Sequence, residues 1–301
     1  MAWAKRRALH VDPGSALADL PASDGVPRGP VNCVVFSKDR AMQLDACLRS
    51  IEKFSGYEGT VVVIYKATTP AFAEGYRLLS PGSRVRLVLE SDFRRDVIEA
   101  IDPEIPYTVF QVDDDVFFRA PLTAPVVPPG AAAFSLRLGT NTDYCYSAGA
   151  SQAFPATASR GSLLAWNWMG AEGDFAYPMS LDGHFFRTSL ILRMLSRLPF
   201  TNPNRLEEAL TLERFGVPPL MLSFSESCVV SIPVNIVTST HENRAGSDPA
   251  LSPDALNARF LAGERIDLDA MDFSQIRGAH QEVQLRFRAA GGSEPAAERG
   301  A

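Results

Sequence analysis

Tyr107-Thr-Val-Phe-Gln-Val-Asp-Asp-Asp-Val-Phe-Phe118 decides how this chain is read. Val109, Phe110 and Val112 precede three consecutive acids; Val116, Phe117 and Phe118 follow them. A short, β-rich apolar run bounded by Pro106 and Pro121 predicts a strand buried on both faces. Carboxylates at the end of such a strand repel one another and resist desolvation, so their pKa values rise unless a cation neutralises them. A divalent ion does this, and hard oxygen ligands select Mg²⁺ or Mn²⁺. Alternation along an extended chain turns Asp113 and Asp115 together toward a metal and a diphosphate. Asp114 then faces the other way, toward a ribose or a supporting group.

On the N-terminal side, three strand–helix units lead up to this strand. Val31-Asn-Cys-Val-Val-Phe36 reads as a buried strand, and Ser37-Lys-Asp-Arg40 opens a helix with Ser37 or Asp39 as its cap. Leu44, Cys47, Leu48, Ile51 and Phe54 share one face of that helix, which Gly56 and Gly59 end. Strands follow at 60–65 and 85–89, with helices at 70–79 and 90–101. Repeated strand–helix units indicate a parallel sheet with right-handed crossovers. Ligands of such sheets gather at the carboxyl ends of the strands, which sets Ser37–Arg40, Glu90–Asp92 and Asp113–Asp115 along one crevice.

On the C-terminal side the pattern loosens. Strands are expected at 131–138, 163–168 and 228–237, the last weakened by Pro233, with helices at 188–198, 203–215 and through 256–261. Residues 144–160 and 238–249 read as long polar loops, the kind that often carry function.

The bulk properties exclude several classes. At 301 residues with 46% hydrophobic and 21% charged residues, the chain fits a soluble globular protein. Its net charge of −6 argues against nucleic acid as a partner. Cys33, Cys47, Cys145 and Cys228 form no Cys-x-x-Cys pair and no disulfide-like framework. No apolar run reaches the roughly 18 residues of a membrane span, and no secretory signal follows Lys5-Arg6-Arg7. The cytoplasm is the expected compartment, with the inner membrane face as a peripheral station.

The first strand, the helix Ser-Lys-Asp-Arg-Ala-Met-Gln-Leu-Asp-Ala-Cys-Leu-Arg-Ser-Ile and the acids about 80 residues later resemble the glycosyltransferase A fold. In particular they are similar to its family 2-like nucleotide-diphosphosugar transferases. The resemblance implies a mostly parallel nucleotide-binding α/β sheet flanked by helices, with a smaller mixed acceptor-side region. Residues 30–129 would hold the nucleotide sugar and 130–290 the acceptor, between a flexible leader (1–29) and a disordered tail (291–301).

It also implies a metal-dependent transferase moving a sugar from a nucleotide-diphosphate sugar to a hydroxyl acceptor, a glycan or a lipid-linked sugar. Asp113 and Asp115 would hold Mn²⁺ or Mg²⁺, with Asp115 the direct ligand and His241 a third. Ser37, Asp39, Arg40, Asp92, Asp113 and Asp114 would contact the nucleotide. The general base of an inverting enzyme falls to Glu207 or Glu208, only one of which can face the site because neighbours on a helix point about 100° apart. Asp182 is its rival: Gly183 beside it permits close approach, and His184 could orient a phosphate or the metal. Trp166, Trp168 and Tyr177 are candidates to stack on sugars. A nucleotidyltransferase and a non-catalytic ion- or sugar-binding module are the alternatives, although Ser37–Arg40 lacks the Gly of a phosphate loop. Products separate the enzymes, since one releases a nucleoside diphosphate and the other pyrophosphate.

Overall fold

Tyr107–Val112, which leads into the acids, lies near the centre of a nine-stranded sheet in the computed structural model, which describes residues 11–18, 20, 29–237 and 244–289. The first half builds as its periodicity predicts, except that neither Ser37 nor Asp39 caps α1, whose N-cap is Arg40 without a side-chain bond: β1 (Asn32–Lys38), α1 (Ala41–Ser50), β2 (Val61–Lys66), α2 (Pro70–Arg77), β3 (Val85–Leu89), α3 (Phe93–Glu99) and β4 (Tyr107–Val112). All four strands are parallel, in the order β3-β2-β1-β4. Thr69 caps α2 by accepting from the Phe72 N–H, with Pro70 in the first turn. A π-helical turn, Ile51–Ser55, extends α1 and ends at Gly56, whose φ of 65° is the left-handed stop a glycine permits.

The second half adds short pieces: β5 (Asp115–Phe117), β6 (Ala131–Ser135), β7 (Tyr144–Cys145), β8 (Ala150–Ser151), β9 (Thr157–Arg160) and β10 (Leu163–Asn167). After these come β11 (His184–Arg187), α4 (Thr188–Leu195), α5 (Pro203–Leu212), β12 (Leu220–Phe224), β13 (Val229–Ser231), α6 (Pro253–Leu261), β14 (Glu264–Ile266) and β15 (Phe287–Ala289). The full sheet runs β3-β2-β1-β4-β11-β6-β12-β10-β9. β11 lies antiparallel between β4 and β6, and β12 returns parallel to β6. The sheet is therefore mostly parallel but mixed.

Side chains of β1 alternate between two cores. Cys33 and Val35 pack under α1, α2 and α6; Val34 and Phe36 pack under α3, α4 and α5. Phe110, Phe185 and Phe186 are fully buried, and burial of each such side chain contributes roughly 1.5–3 kcal/mol. All four cysteines are free and buried, in keeping with the absence of a disulfide framework. Among the described residues no helix is long and apolar enough to cross a membrane.

Three expectations need correction. The central strands β11 and β12 were not expected: His-Phe-Phe-Arg is too short to show a period, and Leu220–Phe224 is an unalternating apolar run. The late strand expected at 228–237 is only Val229–Ser231, because Pro233 has no N–H to continue a ladder. The leader is not wholly loose. Ser15–Ala18 form a helical turn, Ala16, Leu17 and Leu20 are buried in the core, and Arg160 donates to the Leu17 carbonyl at 2.7 Å. The tail expected to be disordered (291–301) lies outside the described residues.

Candidate active site

Asp113 and Asp114 occupy a turn between β4 and β5, and the turn breaks the alternation assumed for an extended chain. Arg40 Nη1 bridges the two, at 3.0 Å from Asp113 Oδ1 and 3.1 Å from Asp114 Oδ2. Asp113 Oδ2 accepts from Ser37 Oγ at 2.8 Å and from the Lys38 N–H at 3.2 Å. Asp115 turns inward as the first residue of β5. Its Oδ2 accepts from the Val112 N–H at 3.1 Å, and its Oδ1 accepts from the Ser231 hydroxyl. So Asp113 pairs with Asp114 rather than with Asp115. That corrects the side assignment made from alternation.

Exposure separates the three acids. The Asp114 side chain keeps 16% of its surface open, the Asp113 side chain keeps 4%, and Asp115 is fully buried. Desolvation pushes the Asp113 carboxyl up to about 6, against the pull of Arg40. Burial, and then the charge of Asp182, push Asp115 well above the carboxylate range. Asp115 is thus a poor direct metal ligand, having no open surface and both oxygens engaged.

Ser37, Arg40, Asp113 and Asp114 do come together, as expected. The other two nucleotide candidates do structural work. Asp39 has φ 57° and spends its carboxylate on the Thr68 N–H (2.7 Å) and hydroxyl (2.8 Å). Asp92 is exposed and caps α3 by accepting from the Arg95 N–H at 2.9 Å.

A second cluster stands behind Asp114. Asp182 Oδ2 is 3.3 Å from Arg137 Nη1 and 3.3 Å from His280 Nε2. Although burial opposes ionisation, Arg137 and then His280 hold the Asp182 carboxyl down at about 2. Gly183 beside it has φ 67°, and a Cβ there would come within 3.2 Å of Arg137 Cγ. Glu207, half-buried on α5, accepts from the Leu181 N–H at 3.1 Å. Desolvation first, and the nearby charge of Asp182 second, push the Glu207 carboxyl up to about 7. Glu208 points the other way, exposed and paired with Arg205 at 2.6 Å.

His184 is buried, and desolvation lowers it to about 3, so its imidazole is neutral. Trp166 and Trp168 are buried, with their indole N–H groups donating to the Phe175 and Pro218 carbonyls, and cannot stack on a sugar. Tyr177 is half-buried, its hydroxyl accepting from Thr211 at 3.0 Å. His241 lies outside the described residues.

Three contributors were not anticipated from the sequence. Arg137 is buried, donating also to Ser231 Oγ (3.2 Å) and Ser180 Oγ (2.7 Å). A lone arginine in the apolar run Phe134-Ser-Leu-Arg-Leu138 was the available signal, since a buried guanidinium demands acids. His280 and Ser231 carried no such signal.

Among the described residues no group of three or more His, Cys, Asp or Glu is arranged to hold a metal ion. The donor set fits an ion that brings ligands of its own. Asp114 offers a partly open carboxylate, and Mg²⁺ is commonly held by one or two carboxylates plus substrate phosphates.

No family model matches the chain. Over 210 residues, 59% of its length, it is 23% identical to the bifunctional glycosyltransferase pgtA of Dictyostelium discoideum. The match spans 27% of that protein, well under two thirds of its length.

Proposed function

We propose that the protein transfers a sugar from a nucleotide-diphosphate sugar to a hydroxyl acceptor, on a glycosyltransferase A-like sheet. The observation that carries this reading is that Glu207 accepts from the Leu181 N–H, next to Asp182, where the two carboxyls are driven apart, Asp182 down to about 2 and Glu207 up to about 7. Environments that drive two titrating groups apart mark acid–base work, and a carboxylate near 7 is tuned to accept a proton at neutral pH. The similarity to a glycosyltransferase supports the same reaction class. So does the placement of the acidic turn at the carboxyl end of β4, beside the β1–α1 loop.

In this reading Asp114 faces the donor diphosphate, and a bound Mn²⁺ or Mg²⁺ would supply charge neutralisation there. Glu207 takes the proton from the acceptor hydroxyl as its oxygen bonds to the anomeric carbon. The bond from that carbon to the diphosphate breaks, and the electron pair leaves with the nucleoside diphosphate. A single displacement of this kind inverts the anomeric centre. Asp182 stays ionised and keeps Glu207 basic.

The test is a panel of sugar nucleotides with Mn²⁺, assayed for nucleoside diphosphate release. Glu207→Gln should lower turnover at least about 100-fold while donor binding survives. Near-normal turnover in that variant would refute the assignment, and pyrophosphate release from a nucleoside triphosphate supplied with a sugar phosphate would indicate a nucleotidyltransferase.

A further inference from the structure

His280 stands between the acidic turn and the Asp182 cluster. Its backbone is locked from both sides, since the Ser231 N–H donates to the Ala279 carbonyl at 3.0 Å and the Gln281 N–H donates to the Ser231 carbonyl at 3.0 Å. Ser231 belongs to β13, which pairs with β5, and its hydroxyl reaches Asp115. The backbone on either side of His280 is thereby tied, through Ser231, to the acidic strand. Its Nε2 meets Asp182 Oδ2 at 3.3 Å, and about a third of the side chain (32%) remains exposed.

The geometry points to His280 as a positioning residue of the proposed transfer: it holds the Asp182 carboxylate in place next to Leu181, whose N–H binds Glu207. This rests on the reading of Glu207 as the base. Asp182 Oδ2 takes both of its ion-pair contacts, from Arg137 and His280, on one oxygen. Two donors on one oxygen hold the carboxylate plane, and loss of either frees it to turn.

Few other charged groups face Glu207. Tyr177 and Asp182 come from the segment before β11, Arg137 from the end of β6, and His280 from the C-terminal segment. On its own helix, Arg205 and Glu208 pair with each other in the open. Around His280 the charges are Asp182, Arg137 and Asp114. The flanking Arg277 and Glu282 are turned to Asp143 and Tyr146. Of the groups acting on Glu207, Arg137 and His280 both favour its ionised form. Arg137 is buried, whereas His280 is open enough to be changed without cavity formation.

The experiment compares His280→Ala and His280→Gln in the full chain by two readouts. The first is the carboxyl titration of Glu207 by ¹³C NMR, assigned by its loss in Glu207→Gln. The second is the pH profile of kcat/KM. In both variants Glu207 should titrate higher, because the His280 side chain favours its ionised form. The acidic limb of kcat/KM should move with it, and turnover should recover at alkaline pH. His280→Gln keeps a donor at the same edge, so it should retain more of the kcat than His280→Ala. It also serves if the alanine variant does not fold.

Damage of a purely structural kind would lower turnover equally at all pH, and that outcome overturns the proposal. An unmoved Glu207 titration in both variants overturns it too, even where Glu207→Gln abolishes turnover. If Glu207→Gln instead leaves turnover intact, the base assignment fails on its own. The NMR titration still decides whether His280 governs Glu207.

Discussion

Arg40 Nη1 lies 3.1 Å from Asp114 Oδ2, and the same atom holds Asp113. The guanidinium therefore supplies the positive charge that makes two adjacent carboxylates tolerable at the end of β4. Its remaining contacts run to Asn235, through Nε to the side-chain oxygen at 2.9 Å and through Nη2 to the carbonyl. Lys38 Nζ holds the Val237 carbonyl at 2.7 Å. Lys38, at the end of β1, and Arg40, just before α1, thus anchor the segment after β13 over the acidic turn.

The first prediction separates the three acids. Asp114→Asn should weaken Mn²⁺-dependent nucleotide binding by at least about tenfold, the loss of one charge-assisted contact. Asp115→Asn should leave that affinity within about threefold of the original, because its carboxyl is buried and engaged with Val112 and Ser231. Titration calorimetry with a nucleoside diphosphate, with and without Mn²⁺, decides between them. The reverse ranking would return the metal to Asp115.

Glu207 and Glu208 make a matched pair of substitutions one residue apart. Glu208→Gln removes only an exposed ion pair, so stability should change by less than about 1 kcal/mol and turnover should hold. Equal losses of turnover in both glutamine variants would mean that α5 is needed only as a whole.

Stability should vary with pH in the sense set by Glu207. Its folded carboxyl, at about 7, lies above its usual 4.5, so the folded state holds a proton that the unfolded chain releases between those values. Stability from this group is full below about 4.5, falls as pH rises to about 7, and stays reduced above it. Glu207→Gln should therefore be more stable than the parent near pH 8, by about 1–3 kcal/mol, and should lose that advantage near pH 4. Asp182 acts oppositely, its stabilisation being present above about 4 and lost as pH falls toward 2. Urea unfolding across pH measures both, and a Glu207→Gln variant less stable near pH 8 would contradict the burial argument.

Gly183→Ala should cost about 1–2 kcal/mol in stability, because a left-handed φ of 67° strains any Cβ. The new methyl would also press on Arg137 Cγ and disturb the hold on Asp182. Turnover should then fall more than donor affinity, a split visible in kcat against a directly measured donor Kd. A variant with unchanged kcat would show that Arg137 absorbs the methyl.

Legibility from sequence divided along physical lines. The parallel half was readable because β1 to β4 are apolar runs separated by helices, two of them capped by Thr69 and Asp92, and the positions of Ser37, Arg40 and Asp113 follow from strand ends alone. What could not be read was which way neighbouring acids face, since a turn at Asp113–Asp114 and an extended strand have the same composition. That only one of Glu207 and Glu208 can face inward was readable, and only packing shows that Glu207 is the one that meets the Leu181 N–H. Arg137 and His280 join the site through contacts between residues far apart in sequence, which no local pattern records.

The place of β11 has a consequence for the nascent chain. β4 ends at Val112 and its neighbour begins at His184, so about 70 residues must be made before that edge is covered. At roughly 5–20 residues per second this takes roughly 4–15 s, during which Val109 and Phe110 line an unpaired strand. An uncovered apolar edge is a template for pairing with another chain. Ribosome-bound chains stopped near residue 130 should therefore be the aggregation-prone stage of synthesis, and chains extended past β11 should be spared.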